Sequence, residues 1–300
     1  MKTFLFSVLN KIINLISGKG LGNINVLSKI YYIIYNYLNP KKIILIRFKN
    51  KKLFVNSNDP VITPSLFLNG TYEPFETKIF MNLIKENDIL LDIGANIGYY
   101  SIIAASFIKK GKFYAFEPEP HNYDLLTRNI KINGYNNIIP VQKVVSNFNG
   151  KVKMYIDNKN TGSHSLSQEN VANLKNYLEV NSIKLDDYLE GINQRKVDII
   201  KMDVQGAESQ VIDGLTKTLH HNTSIKIIME FWPKGLINME INPIKFLQKI
   251  KTLGFKIAVL DEANEKIIKL SIAEIVESCK KKQNGKDHIN LLLTKSDIHN

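Results

Sequence analysis

Cysteine is nearly missing from this chain. Cys279 stands alone among 300 residues, which excludes an intrachain disulfide and a cysteine-built metal centre and is compatible with a reducing, cytoplasmic setting. Tryptophan also occurs once, as Trp232. Long apolar runs are missing too: none reaches the ~18 residues that a membrane-crossing helix needs. The stretch from Met1 to Lys11 opens like a secretion signal, but Lys11 and Asn14 break its apolar part and no small-residue cleavage site follows at the expected distance. There is neither an internal repeat nor a low-complexity linker.

Acid is in short supply, with 28 Asp and Glu against 40 Lys and Arg and a net charge of +12. Such a balance suits a nucleic acid, a phosphorylated substrate or an anionic membrane, or reports nothing beyond solubility. Lysines run along the whole chain instead of gathering with arginines and aromatics in one stripe, which argues against nucleic acid. The runs Lys41-Lys42, Lys51-Lys52 and Lys280-Lys281-Lys282 read as solvated faces, with peripheral membrane contact as the alternative. A hydrophobic share of 44% is that of a folded globular chain, and 300 residues suffice for one large domain with an extension.

From Asp88 onward, apolar strand-like runs alternate with helical patterns, which predicts an α/β fold with a mostly parallel sheet and helices on both faces. Strands are expected near 89–92, 112–116, 138–145, 197–202, 225–229, 255–260 and 288–294. Helices are expected near 97–109, 120–132, 207–219 and 243–253. The runs 151–156 and 181–185 have no full helix between them and read as an inserted β-hairpin. Its polar loop 158–165 is placed to act as a lid. Residues 1–19 and 25–38 read as amphipathic helices that either pack on the main domain or lie on a membrane. The expected division is an N-terminal helical extension over 1–60 and a main domain over 61–300.

The stretch Ile89-Leu90-Leu91-Asp92-Ile93-Gly94-Ala95-Asn96-Ile97-Gly98 carries the strongest functional signal. A buried strand ends on an acid, turns through two glycines and enters a helix, which is where such folds hold nucleotide-like ligands. Asn96 stands where a dinucleotide-binding loop needs its middle glycine, so the loop is not built for a pyrophosphate. Asp92 can accept from an amine or hydroxyl, and Gly94 and Gly98 are expected to leave room for a bulky ligand. Glu117 closes the next strand, where a carboxylate commonly binds ribose hydroxyls. Together they point to an adenosyl ligand such as S-adenosylmethionine. The plainer reading is a strand-to-helix turn capped by Asp92 or Asn96, with Glu117 a solvated strand end before Pro118.

Several ordered motifs resemble the FkbM family of S-adenosylmethionine-dependent methyltransferases. They are Gly70-Thr71-Tyr72-Glu73-Pro74-Phe75-Glu76, the Asp92–Gly98 loop, Phe116-Glu117-Pro118, Gly162-Ser163-His164-Ser165, Leu185-Asp186-Asp187-Tyr188 and Lys201-Met202-Asp203-Val204-Gln205-Gly206-Ala207-Glu208. The resemblance covers about 70–231. It implies a class I methyltransferase (Rossmann-like) sheet of seven strands with the last antiparallel, and O-methylation of hydroxyls on sugars, glycolipids or other natural products. It also implies that Tyr72 and Glu73 cap the cofactor. Family members often carry Glu where this chain has Gln205, so that position is given no catalytic role. After the third strand, Ser146 and Asn147 stand where many such enzymes place an acid near adenine, and the Asn147 amide is the candidate for the purine edge.

Methyl transfer to an alcohol needs the acceptor oxygen in line with the methyl and a group to take its proton. Asp203, at the carboxyl end of the fourth strand, is the first candidate. Glu208 in the following turn could orient the acceptor, and Asp203 with Glu208 could bind a divalent cation such as Mg²⁺. The plainer readings are helix capping for Asp203 and dipole compensation for Glu208. His164 in the lid loop is the best histidine for proton transfer. Glu230 could line an acceptor pocket, with Trp232 either stacking on a sugar or packing under the C-terminal strands. The expected partner is a small-molecule, glycan or lipid-linked acceptor. The alternatives are an RNA or protein methyltransferase, and a scaffold that binds cofactor without turnover. The residues do not fix an oligomeric state.

Overall fold

The computed structural model describes residues 5, 6, 9, 25–48, 50–280 and 287–295. The strands are β1 (Ile43–Phe48), β2 (Lys51–Asn56), β3 (Ile89–Ile93), β4 (Lys112–Phe116), β5 (Ile138–Val141), β6 (Val144–Ser146), β7 (Gly150–Asp157), β8 (Leu174–Lys184), β9 (Ile199–Met202), β10 (Lys226–Phe231), β11 (Lys256–Asp261), β12 (Lys266–Ile268) and β13 (Ile289–Thr294). Eight of them form the main sheet in the order β12-β11-β13-β10-β9-β3-β4-β5. From β10 to β5 neighbouring strands are parallel, and β13 runs antiparallel between β10 and β11. The seven-strand class I arrangement with an antiparallel last strand is therefore present, and β12 adds an eighth strand at the edge through three antiparallel pairs with β11.

The central strands are mostly apolar because helices cover both faces, leaving no side for water, and their buried charged residues, Asp92, Lys201 and Glu230, lie toward the carboxyl ends. One core layer gathers Leu90, Ile102, Phe113 and Leu126, and the other gathers Leu91, Phe116, Ile200, Met229 and Phe231. Burying each of these side chains contributes about 1.5–3 kcal/mol. The helix Pro120–Ile132 begins as its sequence predicts, with Pro120 in its first turn and the Glu119 carboxylate accepting from the Asn122 amide at 2.7 Å.

Three expectations are corrected by packing. The expected strand 138–145 divides at residues 142–143: β5 stays in the main sheet, while β6 pairs with β8 in a separate three-stranded sheet, β6-β8-β7. The expected helix 207–219 is two helices, Glu208–Asp213 and Thr216–His221. Between them Gly214 approaches β6 so closely that a Cβ would lie 2.1 Å from the Ser146 carbonyl oxygen. The inserted hairpin is present as β7 and β8, with β8 extending far upstream of the expected 181–185.

Within 1–60, the expected helix over 25–38 is Asn25–Leu38, while 1–19 falls almost wholly outside the described residues. The region is not helical throughout, because β1 and β2 form a hairpin over 43–56. Two asparagines one turn apart bind the outer edge of β2 as a further strand would. Asn129 accepts from Phe54 N at 2.6 Å and donates to Phe54 O at 3.0 Å, and Asn133 treats Lys52 the same way at 3.0 and 2.6 Å. Tyr31, Tyr35, Phe48 and Leu53 join the core layer that holds Tyr99 and Leu126, so helix and hairpin pack on the main domain. Among the described residues no helix is long and apolar enough to cross a membrane.

Candidate active site

A cavity of about 330 Å³ opens at the carboxyl ends of β3, β4, β9 and β10, where the chain changes direction across the sheet. One end is lined by Asp92, Gly94, Asn96, Glu117, Val144 and Val145, the other by Tyr72, Glu73, Lys201, Asp203, Glu230 and His288. Residues 160–166 also line it.

The loop after β3 is folded by its own backbone. Gly94 and Ala95 amides donate to the Phe116 carbonyl at 3.0 and 2.9 Å, tying the ends of β3 and β4 together. The Asn96 amide donates to Glu117 Oε2 at 2.7 Å, and the Glu119 amide to Glu117 Oε1 at 2.9 Å. Gly94, Asn96 and Gly98 all have positive φ, at 83°, 52° and 85°. The two glycines also answer contacts within the fold itself. A Cβ on Gly94 would meet the Asp203 carbonyl oxygen at 2.0 Å, and one on Gly98 would meet the Leu126 side chain at 2.5 Å. Their bareness lets the β3 and β9 loops and the helix Pro120–Ile132 close on one another.

Burial controls the acids here. Asp92 accepts from Ser101 Oγ at 2.7 Å, and burial pushes its pKa up to about 6. Burial lifts Glu117 further, to about 8, against the two amides that bind it. Glu230 is raised well above the ordinary value, by burial first and by Asp203 second. Gln205, at φ 51°, sets its amide between two of these carboxylates, Nε2 lying 2.6 Å from Asp203 Oδ1 and 3.0 Å from Glu230 Oε1. An amide nitrogen has two hydrogens to give and serves both; a glutamate at 205 would add a third carboxylate. Gln205, given no catalytic role because it departs from the family pattern, therefore joins Asp203 and Glu230 at this end of the cavity.

Lys201 was missed as a site residue. It lies 3.2 Å from Glu76 Oε1, with Tyr100 Oη 2.6 Å from the same oxygen. Burial works against its ammonium, yet Glu76, Asp203, Glu73 and Asp92 hold its pKa above the usual lysine value. The signal was present in the sequence: a lysine inside the buried run Val197–Met202 requires a buried partner.

Tyr72 and Glu73 reach the cavity, with Tyr100 Oη 3.0 Å from Glu73 Oε2. Four other expected site residues, Gly98, Ser146, Asn147 and Glu208, lie off its lining. Ser146 is fully buried against Asn147 and Gln210, so Val144 and Val145, not Ser146 and Asn147, form that wall. Glu208 is fully buried behind the turn that follows β9, where Oε1 accepts from the Gly206 amide at 3.2 Å and burial raises its pKa to about 7. Among the described residues no three His, Cys, Asp or Glu side chains gather as metal ligands, so the pairing of Asp203 with Glu208 on Mg²⁺ gains no support. Trp232 donates Nε1–H to Asp287 at 2.9 Å and packs over Gly235, away from the cavity lining.

His164 lines the cavity, and its Nδ1 accepts from the Asp157 amide at 3.1 Å. Burial lowers its pKa, favouring the neutral ring. With Nδ1 accepting, the ring proton sits on Nε2, which presents a donor. The lid loop is tied at three points: Thr161 Oγ1 donates to Asp59 Oδ2 at 2.8 Å, Asn122 to the Thr161 carbonyl at 2.9 Å, and Ser165 Oγ to the Gln205 carbonyl at 2.8 Å.

Comparison with known proteins adds relatives to this geometry. The chain is 29% identical over 143 residues to the hexuronic acid methyltransferase AglP of Haloferax volcanii, covering 47% of this chain and 56% of that protein. It is 28% identical over 150 residues to the 2-O-methyltransferase NoeI of Sinorhizobium fredii, covering 46% and 61%. It thus spans little more than half the length of these curated relatives. Among solved structures, that of M. jannaschii TYW2 in complex with AdoMet is 16% identical with a TM-score of 0.46, covering 84% of each chain. The family model described as the Methyltransferase FkbM domain matches residues 92–257. That match takes in the loop after β3, Glu117, the lid and the β9 and β10 ends of the cavity, and the chain belongs to the FkbM methyltransferase family.

Proposed function

We propose that this methyltransferase uses S-adenosylmethionine to methylate a hydroxyl on a sugar, glycolipid or other natural product. The observation that carries the reading is the pairing of Asp203 and Glu230 through Gln205 at the acceptor end of the cavity. A hydroxyl donates to the Asp203 carboxylate, whereas a phosphate chain is repelled by Glu73 and Asp203 together, which disfavours RNA. The Haloferax relative is named for a hexuronic acid and the Sinorhizobium relative for 2-O-methyl transfer, which supports a sugar-like acceptor and an oxygen nucleophile.

The residues at the other end suit the cofactor. Val144, Val145, Phe116 and Ile97 give apolar walls for a purine, and Glu117 offers buried lone pairs to ribose hydroxyls. No phosphate cradle is needed, and the carboxylates of Asp92, Glu73 and Asp203 favour a cationic sulfonium and amine. When bound, the cofactor supplies an electrophilic methyl whose C–S bond breaks as the C–O bond forms, the electron pair staying on sulfur. Asp203 takes the acceptor proton. Gln205 fixes that carboxylate, and Lys201 holds the surrounding acids by charge. The lid excludes water, and His164 donates from Nε2 to the acceptor in place of acting as a base.

Asp203→Asn tests this reading. Turnover on a glycan or lipid-linked hydroxyl should fall about 10²–10⁴-fold while S-adenosylhomocysteine still binds. Undiminished turnover would remove Asp203 from proton transfer. Methylation of RNA or protein in preference to every hydroxyl acceptor would overturn the substrate class.

A further inference from the structure

The excess positive charge is not held evenly. Residues 1–58 contain ten Lys and Arg and no Asp or Glu, whereas the remaining 242 residues carry 30 basic and 28 acidic side chains. Nearly the whole net charge of +12 therefore lies upstream of Asp59.

The same region exposes apolar side chains in register. On the helix Asn25–Leu38, Tyr31 and Tyr35 face the core at 4% and 0% exposure. Ile30, Ile33, Ile34 and Tyr37, spaced i, i+3, i+4, i+7, form a second stripe at 48, 69, 38 and 68%. On β1, Ile46 and Phe48 point inward while Ile43 and Leu45, 40 and 47% exposed, share the outer face with exposed Arg47. The link between the two rows, residues 39–42, carries exposed Lys41 and Lys42.

We infer that the helix Asn25–Leu38 and the β1–β2 hairpin form a docking face for an anionic lipid surface. Isolated exposed isoleucines are ordinary; a helix apolar on two faces and embedded in unrelieved positive charge is not. Apolar insertion and basic attraction are the two signals that hold a peripheral protein on anionic lipid. A second copy would bring two strongly basic faces together. RNA would find phosphate partners, but rows of isoleucine offer its bases neither stacking planes nor hydrogen bonds.

The chain runs from this face directly to the cavity. Asp59 ends the acid-free region and holds Thr161 of the lid, and Val61 and Ile62 line the cavity. A lipid-anchored hydroxyl acceptor would use that connection, a consequence that rests on the proposed methyl transfer, whereas the docking does not.

The test is co-sedimentation of the full chain with phosphatidylcholine vesicles, with and without phosphatidylglycerol. Binding should require phosphatidylglycerol and weaken with added salt. Ile33→Glu should abolish it, and Lys41→Glu with Lys42→Glu should weaken it at least about tenfold. All variants should keep the wild-type melting temperature and S-adenosylhomocysteine binding, because the altered side chains are exposed. Equal binding to both vesicle types, or binding untouched by Ile33→Glu, would overturn the proposal. So would a dimer that Ile33→Glu dissolves, or single-stranded RNA that displaces the vesicles. None of these results bears on methyl transfer itself.

Discussion

Lys201 Nζ stands 3.2 Å from Glu76 Oε1, with the two side chains 3% and 0% exposed. The pair joins β9 to the helix Pro74–Leu83 and sits beneath the cavity, with the ammonium also 5.0 Å from the centre of the Tyr100 ring. Glu76 Oε2 has no hydrogen-bond partner among the described residues, so Lys201 and Tyr100 carry most of the compensation for burying that carboxyl.

Removing one partner should therefore cost more than removing both. Lys201→Met should destabilise the fold by about 3–5 kcal/mol, because Glu76 is left buried without its cation. Lys201→Met with Glu76→Leu should recover most of that loss. Urea unfolding of the two variants beside wild type decides it; an unchanged midpoint in the single variant would sink the idea.

Glu117 sets a pH dependence with a definite sign. Burial raises its folded pKa from 4.5 to about 8, so the folded state binds its proton more tightly than the unfolded chain does. Its charged form opposes folding, and stability should decline as pH rises from 4.5 to about 8 and then level off. Asp92, raised to about 6, and Glu208, raised to about 7, act in the same direction. Glu117→Gln should flatten part of the decline in thermal melts across this range. A slope identical to wild type would mean that Glu117 does not titrate there. Glu117→Ala should also weaken S-adenosylhomocysteine binding, measured by calorimetry.

Gly94→Ala combines backbone strain with collision. At φ 83° any side chain is strained by about 1–3 kcal/mol, and the new Cβ would lie 2.0 Å from the Asp203 carbonyl oxygen. Relief must move the backbone that carries Asp203. The variant should lose turnover more than cofactor affinity, and a crystal structure should show the 203–206 turn displaced. Wild-type turnover would show that the contact is not needed.

The order of strands, the ends of β3 and β4 and the helix beginning at Pro120 were legible in the sequence because each rests on local signals: apolar periodicity, a terminal acid, a proline in the first turn. Asp92, Glu117, Asp203 and Glu230 were legible as cavity residues because strand ends of an α/β sheet gather on one side. What the sequence by itself determined was thus the family, the main sheet and its acid-tipped strands. Tertiary structure alone decided which acids face the cavity. Ser146 ends a strand and Glu208 lies beyond one, as Asp203 does, yet packing turns both inward. It also decided that Gly94 and Gly98 serve loop contacts, that Gln205 joins two carboxylates, and that Glu76 answers Lys201 from 125 positions away in the chain. Such relationships depend on through-space distance and desolvation, and neither quantity is encoded in the spacing of residues along one strand or helix.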